Sequence, residues 1–206
     1  MKLSALFFLP LLITSTGIET FNLDESIKSK NPIIRISTEI GEIEIEIFEK
    51  EAPVTANNFL EYIKKGMFKN ACFYRVVNME NQPDDDIKIE VIQGGLGWSD
   101  SLPGLGPIKH ETTDITGIKH LDGTLSMARD KPGSASSEFF ICINNQLELD
   151  YGGKRNPDGQ GFAAFGKVIK GMDVVKKIQK LDNTNQMLDN PVMILDIIRL
   201  ELIKVE

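Results

Sequence analysis

Cysteine, histidine and tryptophan are scarce in this chain, at two, two and one among 206 residues. Two cysteines cannot make the dense disulfide framework of a small stapled domain. With no Cys-x-x-Cys and no Cys/His cluster, a zinc site is not expected. Cys72 and Cys142 each sit in an apolar, strand-like run. An exported protein can join such a pair, but a buried free thiol fits the same surroundings, and free thiols are the expectation. His110 and His120 fall in a loop-rich region with no third ligand at helical spacing, and read as solvent-facing loop residues. Neither lies in a Ser/His/acid motif, which argues against a hydrolase. Basic charge is also short: 23 Lys and Arg against 30 Asp and Glu give a net charge of −7. Nucleic acid selects basic surfaces, so it is not expected as a partner. No apolar run reaches the length that crosses a bilayer.

What is present begins with a charged start at Lys2, a short apolar stretch Leu3–Ile13, then Ser15, Thr16 and Gly17. That pattern predicts a secretory signal over residues 1–17, an uncleaved anchor being the alternative. It implies an exported protein, periplasmic or secreted, with no membrane span once the signal is removed. No cysteine follows the apolar run, so lipid attachment there is excluded. Residues 18–31 are polar and aperiodic, as a linker is, and leave 32–206 as one domain long enough for a real core.

Within that domain Ile33–Phe48 alternates apolar and acidic residues around a turn at Glu39–Glu42. Ile43, Ile45 and Ile47 face one way and the glutamates the other, which predicts a two-strand hairpin with one buried face. Pro53 opens a helix whose stripe is Ala56, Phe59, Leu60 and Ile63, and Gly66 stops it. Strands are predicted at Cys72–Val77 and Ile87–Gln93, separated by a polar insertion, Asn78–Asp86, whose three consecutive aspartates do not match an EF-hand loop. Leu96–Gly123 is a long Gly/Pro/Asp-rich loop holding Trp98. Phe162–Ile169 reads as a strand, Met172–Leu181 as a second helix, and Val192–Val205 as a long closing strand. Short, locally connected strands without a βαβ rhythm predict a mainly β fold, a closed eight-stranded antiparallel barrel capped by two α-helices. Closure leaves no free edge.

The centre of the chain is Gly123–Ile143. Two short strands flank a polar turn there, and Ser126, Ala128, Ser136 and Ser137 stand beside Phe139-Phe140. Small residues beside large rings make a pocket with an aromatic wall, suited to a compact apolar ring.

Five ordered motifs, Phe73-Tyr74-Arg75-Val76-Val77, Gln93-Gly94-Gly95, Ser126-Met127-Ala128, Ser137-Glu138-Phe139-Phe140-Ile141 and Phe165-Gly166-Lys167-Val168, resemble the cyclophilin type of peptidyl-prolyl cis-trans isomerase, in its exported bacterial-like branch. The resemblance covers Ile33 to about Leu202 and implies the barrel already read from the strands. It places Arg75 as the catalytic arginine. It places Gln93, Ala128, Phe140 and Leu149 in the substrate site, with Phe140 as the floor of the proline pocket. The two cysteines stand where the family often carries unpaired ones. Several rim positions depart from the family pattern. Glu138 stands for Gln, Arg129 for Asn, Glu148 for an aromatic residue and Phe162 for His. The Phe-Met pair before Gln-Gly-Gly becomes Glu90-Val91, with Ile89 as a stand-in for the ring. The expected substrate-binding set is therefore Gln93, Val91, Ala128, Arg129, Glu138, Phe140, Leu149 and Phe162 around catalytic Arg75.

The chemistry implied needs no cofactor and no metal. Rotation about X–Pro is resisted by conjugation of the nitrogen lone pair, with a barrier of about 18–20 kcal/mol. A guanidinium aimed at that nitrogen localises the pair and favours the twisted state over either ground state. Partners are Pro-containing peptides and unfolded or folding proteins, the protein acting as a monomer. The alternative is a non-catalytic module of the same fold that holds Pro-containing segments, to which the remodelled rim points. Glu138 is expected to pair with Arg75 and tune it.

Overall fold

The acidic/apolar alternation of the first hairpin folds as expected. In the computed structural model, which describes residues 31–97 and 104–200, β1 (Ile33–Thr38) pairs antiparallel with β2 (Glu42–Ile47), Ile34 opposite Ile45 and Ile36 opposite Ile43. The isoleucines are buried and the intervening glutamates are not, and Arg35 crosses the outer face to Glu44 at 2.9 Å. The signal segment 1–17, the linker up to residue 30, Trp98 and the chain beyond Leu200 lie outside the described residues.

Helix α1 (Pro53–Lys64) starts on Pro53, whose missing N–H would have no helical partner. No side chain from its own N-terminus caps it. The carboxylate of Glu111, far along the chain, accepts from the Val54 and Thr55 amides at 3.1 and 2.7 Å and from the Thr55 hydroxyl at 2.7 Å. A negative group on these exposed donors suits the helix dipole and pins the long loop to the helix. That loop carries one helical turn of its own, α2 (Thr113–Thr116), ended by Gly117 in the left-handed region at φ 74°. The two helices expected are therefore three among the described residues.

The remaining elements are β3 (Cys72–Val77), β4 (Val91–Gly95), β5 (Thr124–Met127), β6 (Phe139–Cys142), β7 (Ala163–Lys170), α3 (Met172–Gln179), β8 (Asn183–Thr184) and β9 (Met187–Leu200). Strand neighbours run β1-β2-β7-β5-β6-β4-β3-β9, and β9 returns to β1, so eight antiparallel strands close a barrel with β8 appended as a short hairpin arm. The fourth strand starts later than expected. Ile87–Glu90 lies outside it because Gln82 holds Ile89 instead, donating to its carbonyl at 2.8 Å and accepting from its amide at 3.2 Å. The last strand begins five residues earlier than expected, because Asn185-Gln186 turns it back on β8.

The core is continuous from the barrel interior to α1 and α3, with Ala56 and Phe59 from one helix and Val174, Val175 and Ile178 from the other. Phe59 meets the rings of Phe68, Phe139 and Phe165 at 5.1–5.3 Å between centroids. Each fully buried ring of this kind contributes roughly 1.5–3 kcal/mol by leaving water. Among the described residues no helix is long and apolar enough to cross a membrane.

Candidate active site

Alternation along β6 sends Phe139 and Ile141 into the barrel and leaves Phe140 and Cys142 on its outer face. There they join Val91, Ile89, Val77 and Leu149, with Ala128 and Phe162 against them, in a second apolar cluster. Strand β3 would present only one of two neighbouring side chains to this face, but its register shifts between Phe73 and Arg75 against both β4 and β9. The bulge puts both Tyr74 and Arg75 along the cluster's edge, the re-aiming for which bulges are used beside functional sites. The resulting cleft has a volume of about 470 Å³.

Arg75 is held by three hydrogen bonds. Its Nη1 donates to Gln93 Oε1 at 2.8 Å, and its Nε and Nη2 donate to Gln186 Oε1 at 3.1 and 2.5 Å. Gln93 Nε2 donates to the Tyr74 hydroxyl at 2.8 Å, and Tyr74 donates to Glu138 Oε2 at 2.5 Å. The direction of this chain follows from its end. An ionised carboxylate only accepts, so Tyr74 must donate to it. The Tyr74 oxygen then accepts from Gln93, and the Gln93 carbonyl is left for Arg75. Burial, with the Glu138 charge next, pushes the Tyr74 hydroxyl up. Burial lowers Arg75 and the neighbouring Arg155 guanidinium lowers it further, yet an arginine keeps its charge.

Glu138 does not pair with Arg75, contrary to expectation. It accepts from Tyr74, from the Gly97 amide at 2.6 Å and from the Ser137 hydroxyl at 3.0 Å. Its position bears on the second of the paired glycines after Gln93, and the β3 backbone on the first. A Cβ on Gly95, at φ 142°, would stand 2.5 Å from Glu138 Oε1, and one on Gly94 would stand 2.7 Å from the Cys72 carbonyl.

The apolar floor is braced from behind and from the side. His120 is fully buried and stacks under Phe140 with centroids 6.0 Å apart. Its Nδ1 lies 2.8 Å from Asp150 and its Nε2 2.9 Å from Ser126 Oγ. The solvent-facing reading of His120 is therefore overturned, and a Ser/His/Asp set exists after all. Ser126 has no exposure, so that set braces the pocket floor and offers no nucleophile. His110 keeps partial exposure, with Nε2 3.2 Å from the Gln160 carbonyl. Arg129 donates bidentately to Asp158 at 2.8 and 2.9 Å and to the Gly161 carbonyl at 2.8 Å. Its guanidinium covers the Phe162 ring at 5.2 Å, and Phe162 meets Phe140 edge-on at 5.3 Å. The Arg129 bonds push the Asp158 carboxyl down to about 2.

The profile of the family described as cyclophilin type peptidyl-prolyl cis-trans isomerase/CLD matches residues 33–199. The chain belongs to the cyclophilin family. Among cyclophilins, it is 38% identical over 154 residues to a peptidyl-prolyl cis-trans isomerase of Acinetobacter baylyi, covering 72% of each chain. It is 36% identical over 151 residues to peptidyl-prolyl cis-trans isomerase B of Escherichia coli, covering 71% of this chain and 84% of that one. The crystal structure of a Cryptosporidium parvum cyclophilin superposes with a TM-score of 0.67 at 23% identity, covering 83% of this chain and 98% of that one.

All nine expected site residues line the same cleft of this cyclophilin. Arg75, Gln93 and Glu138 form its polar side; Val91, Phe140, Leu149 and Phe162 form its apolar side. Ala128 sits at the end of β5 with its amide already donating to the Glu138 carbonyl at 2.9 Å. Arg129 is spent on Asp158 and Gly161, so it positions Phe162. Sequence reading missed Tyr74, Gln186 and Arg155. Tyr74 stood inside a quoted motif, but only the bulge turns it towards Glu138. Gln186 and Arg155 lie in turn-rich segments that carry no periodic signal.

Proposed function

We propose that this chain accelerates cis–trans isomerisation of X–Pro bonds in exported proteins outside the cytoplasm, working as a monomer. Arg75 is the catalytic residue. The proline ring enters the apolar pocket over Phe140, between Val91, Leu149 and Phe162, while the acyl side of the bond rotates. Gln93 takes a second contact with the peptide main chain. The observation that carries this reading is a guanidinium held in one orientation by Gln93 and Gln186 at the edge of an apolar floor sized for a small ring.

The physics favours arginine here. The hydrogen bond to the prolyl nitrogen is weak while its lone pair is conjugated and strengthens as the nitrogen pyramidalises, so the transition state gains more than either ground state. Three bonds preset the guanidinium, so little ordering is left for the moment of reaction. Export is supported by the charged start, apolar run and small residues of the first 17 positions.

Exchange NMR on a short X–Pro peptide tests the reading. The expected result is catalysed exchange with the mature domain and a fall of roughly 10²-fold or more in Arg75→Ala, as when a preset transition-state donor is removed elsewhere, with the fold intact by circular dichroism. Peptide binding by both proteins with exchange accelerated by neither would replace the isomerase with a binding module.

A further inference from the structure

The cleft contains a guanidinium that the site as described leaves without work. Arg155 stands in the long turn between the Leu149 pocket wall and β7, and it lines the same cleft as Arg75. Its loop is fixed by short bonds. The Arg155 amide donates to the Glu148 carbonyl at 3.1 Å, the Lys154 amide donates to the Glu148 carboxylate at 2.8 Å, and Gly152 and Gly159 close a turn at 2.8 Å. The side chain is largely covered, and Nη1 alone makes its contacts, 2.6 Å to the Ile87 carbonyl and 3.1 Å to Asp85. Among the described residues Nε and Nη2 have no partner. Arg155 is near enough to Arg75 for their like charges to oppose each other, and Asp85 acts on both. The three cleft arginines differ in this respect. Arg129 is neutralised by a bidentate carboxylate, whereas among the described residues Arg75 has no ion pair and Arg155 has only a half-exposed one. Glu138 and Asp130, the other acids of the cleft, pair with neither.

We propose that Arg155 is a specificity-determining residue that selects substrates carrying an Asp or Glu side chain within two residues of the proline. One carboxylate serving two guanidiniums leaves this end of the cleft short of negative charge. A substrate carboxylate supplies it, takes the two free donor groups of Arg155 in a fork geometry, and relieves the opposition between Arg155 and Arg75. A neutral side chain does neither, and a lysine adds to the repulsion, so the discrimination is partly by exclusion. Ile89, in the same segment as Asp85, lines the cleft beside Arg155 and packs in the apolar cluster that floors the proline pocket. That places the recognised side chain next to the proline and not several residues away.

This rests on the isomerase reading, and the experiment separates the two. Matched peptides carrying Glu, Gln or Lys at each position within two residues of proline are titrated for affinity by calorimetry and followed by exchange NMR, at low and at raised salt. At the best position the wild type is expected to favour Glu over Gln by about three- to fivefold, as a partly exposed ion pair allows, and to disfavour Lys. The preference should shrink with salt. Arg155→Gln should bring the Glu/Gln ratio to about one whatever its absolute rates, Arg155→Lys should keep part of it, and Asp85→Asn, which removes the competing carboxylate, should raise it. Equal affinity for Glu and Gln peptides in the wild type overturns the proposal, as does an unchanged ratio in a folded Arg155→Gln. Absence of exchange with every peptide sinks the isomerase reading alone, since the affinities still decide the role of Arg155.

Discussion

Gln93 and Gln186 hold the guanidinium of Arg75 directly, but the way Gln93 faces is set by residues that never touch the arginine. Glu138 can only accept, and that single fact propagates through Tyr74 and Gln93 to Arg75. Removing the Tyr74 hydroxyl breaks the chain in the middle. In Tyr74→Phe the Gln93 amide loses its fixed partner and is free to turn its N–H groups towards Arg75, where they oppose the guanidinium. The expected outcome is kcat lower by about tenfold with KM within about twofold, because the apolar floor that binds the ring is untouched. Stability should fall by about 1–3 kcal/mol, the cost of leaving Glu138 without one of its donors. Steady-state kinetics with chemical denaturation checks both. Full kcat in a folded Tyr74→Phe would mean that Gln186 alone orients the arginine. The departure of Glu138 from the family's usual glutamine was plain in the sequence. Its consequence was not, because the partner is set by a bulge that shifts one strand by one residue, and side-chain periodicity cannot foresee a bulge.

At the scale of elements, the site depends on a hairpin the sequence barely signals. Strands β8 and β9 are joined by Asn185 and Gln186, with φ of 51° and 72°. Two positive φ values in succession suit the right-handed twist of a hairpin, and such turns strongly prefer glycine at the second position. Gln186 occupies that position and uses its side chain twice, accepting from Arg75 and donating to the Asn81 carbonyl at 3.1 Å. The backbone strain is thus kept in exchange for a fixed guanidinium. Gln186→Gly relieves the strain and loses the bonds, so its stability should lie within about 1 kcal/mol of wild type, whereas Gln186→Ala loses the bonds and keeps the strain and should be less stable by about 1–2 kcal/mol. Both should lose isomerase activity to a similar degree, since both lose the two bonds from Arg75 to Gln186 and leave Gln93 as its holder. Urea unfolding and exchange NMR on the pair separate the two effects. Unequal activities would show that turn geometry, and not the amide, sets the arginine.

For the molecule as a whole, alternation revealed the strands that have one buried and one outer face, as Glu42–Ile47 does, whereas Phe139–Cys142 is buried on both faces and reads only as an apolar run beside turn signals. What periodicity could not reveal was anything fixed by a lone long-range contact, such as the Glu111 cap on α1, the Gln82 bracket around Ile89, or the burial of His120. A histidine in a Gly/Pro-rich loop reads as exposed, and only the fold packs that loop beneath Phe140. Its burial has a consequence for pH. Desolvation lowers the His120 pKa against the opposing pull of Asp150, so the ring stays neutral, with Nδ1–H donating to Asp150 and Nε2 accepting from Ser126. Burial alone would raise Asp150, but the His120 bonds outweigh it and hold that carboxyl below its usual value. In the unfolded chain His120 titrates near 6.5. As pH falls through that value the unfolded state binds a proton that the folded state refuses, so folding stability falls by up to about 1.4 kcal/mol per pH unit for one such group. His110, also lowered chiefly by burial, adds a smaller loss in the same window. The Asp150 contribution acts in the same direction but only below about pH 5, where the unfolded carboxyl begins to protonate. The urea midpoint of the wild type should therefore decline between pH 7 and 5. In His120→Gln, less stable throughout, that decline should be markedly shallower and the part due to His110 should remain. An unchanged slope would mean that His120 takes up its proton in the folded barrel, and that the floor under Phe140 tolerates a charge.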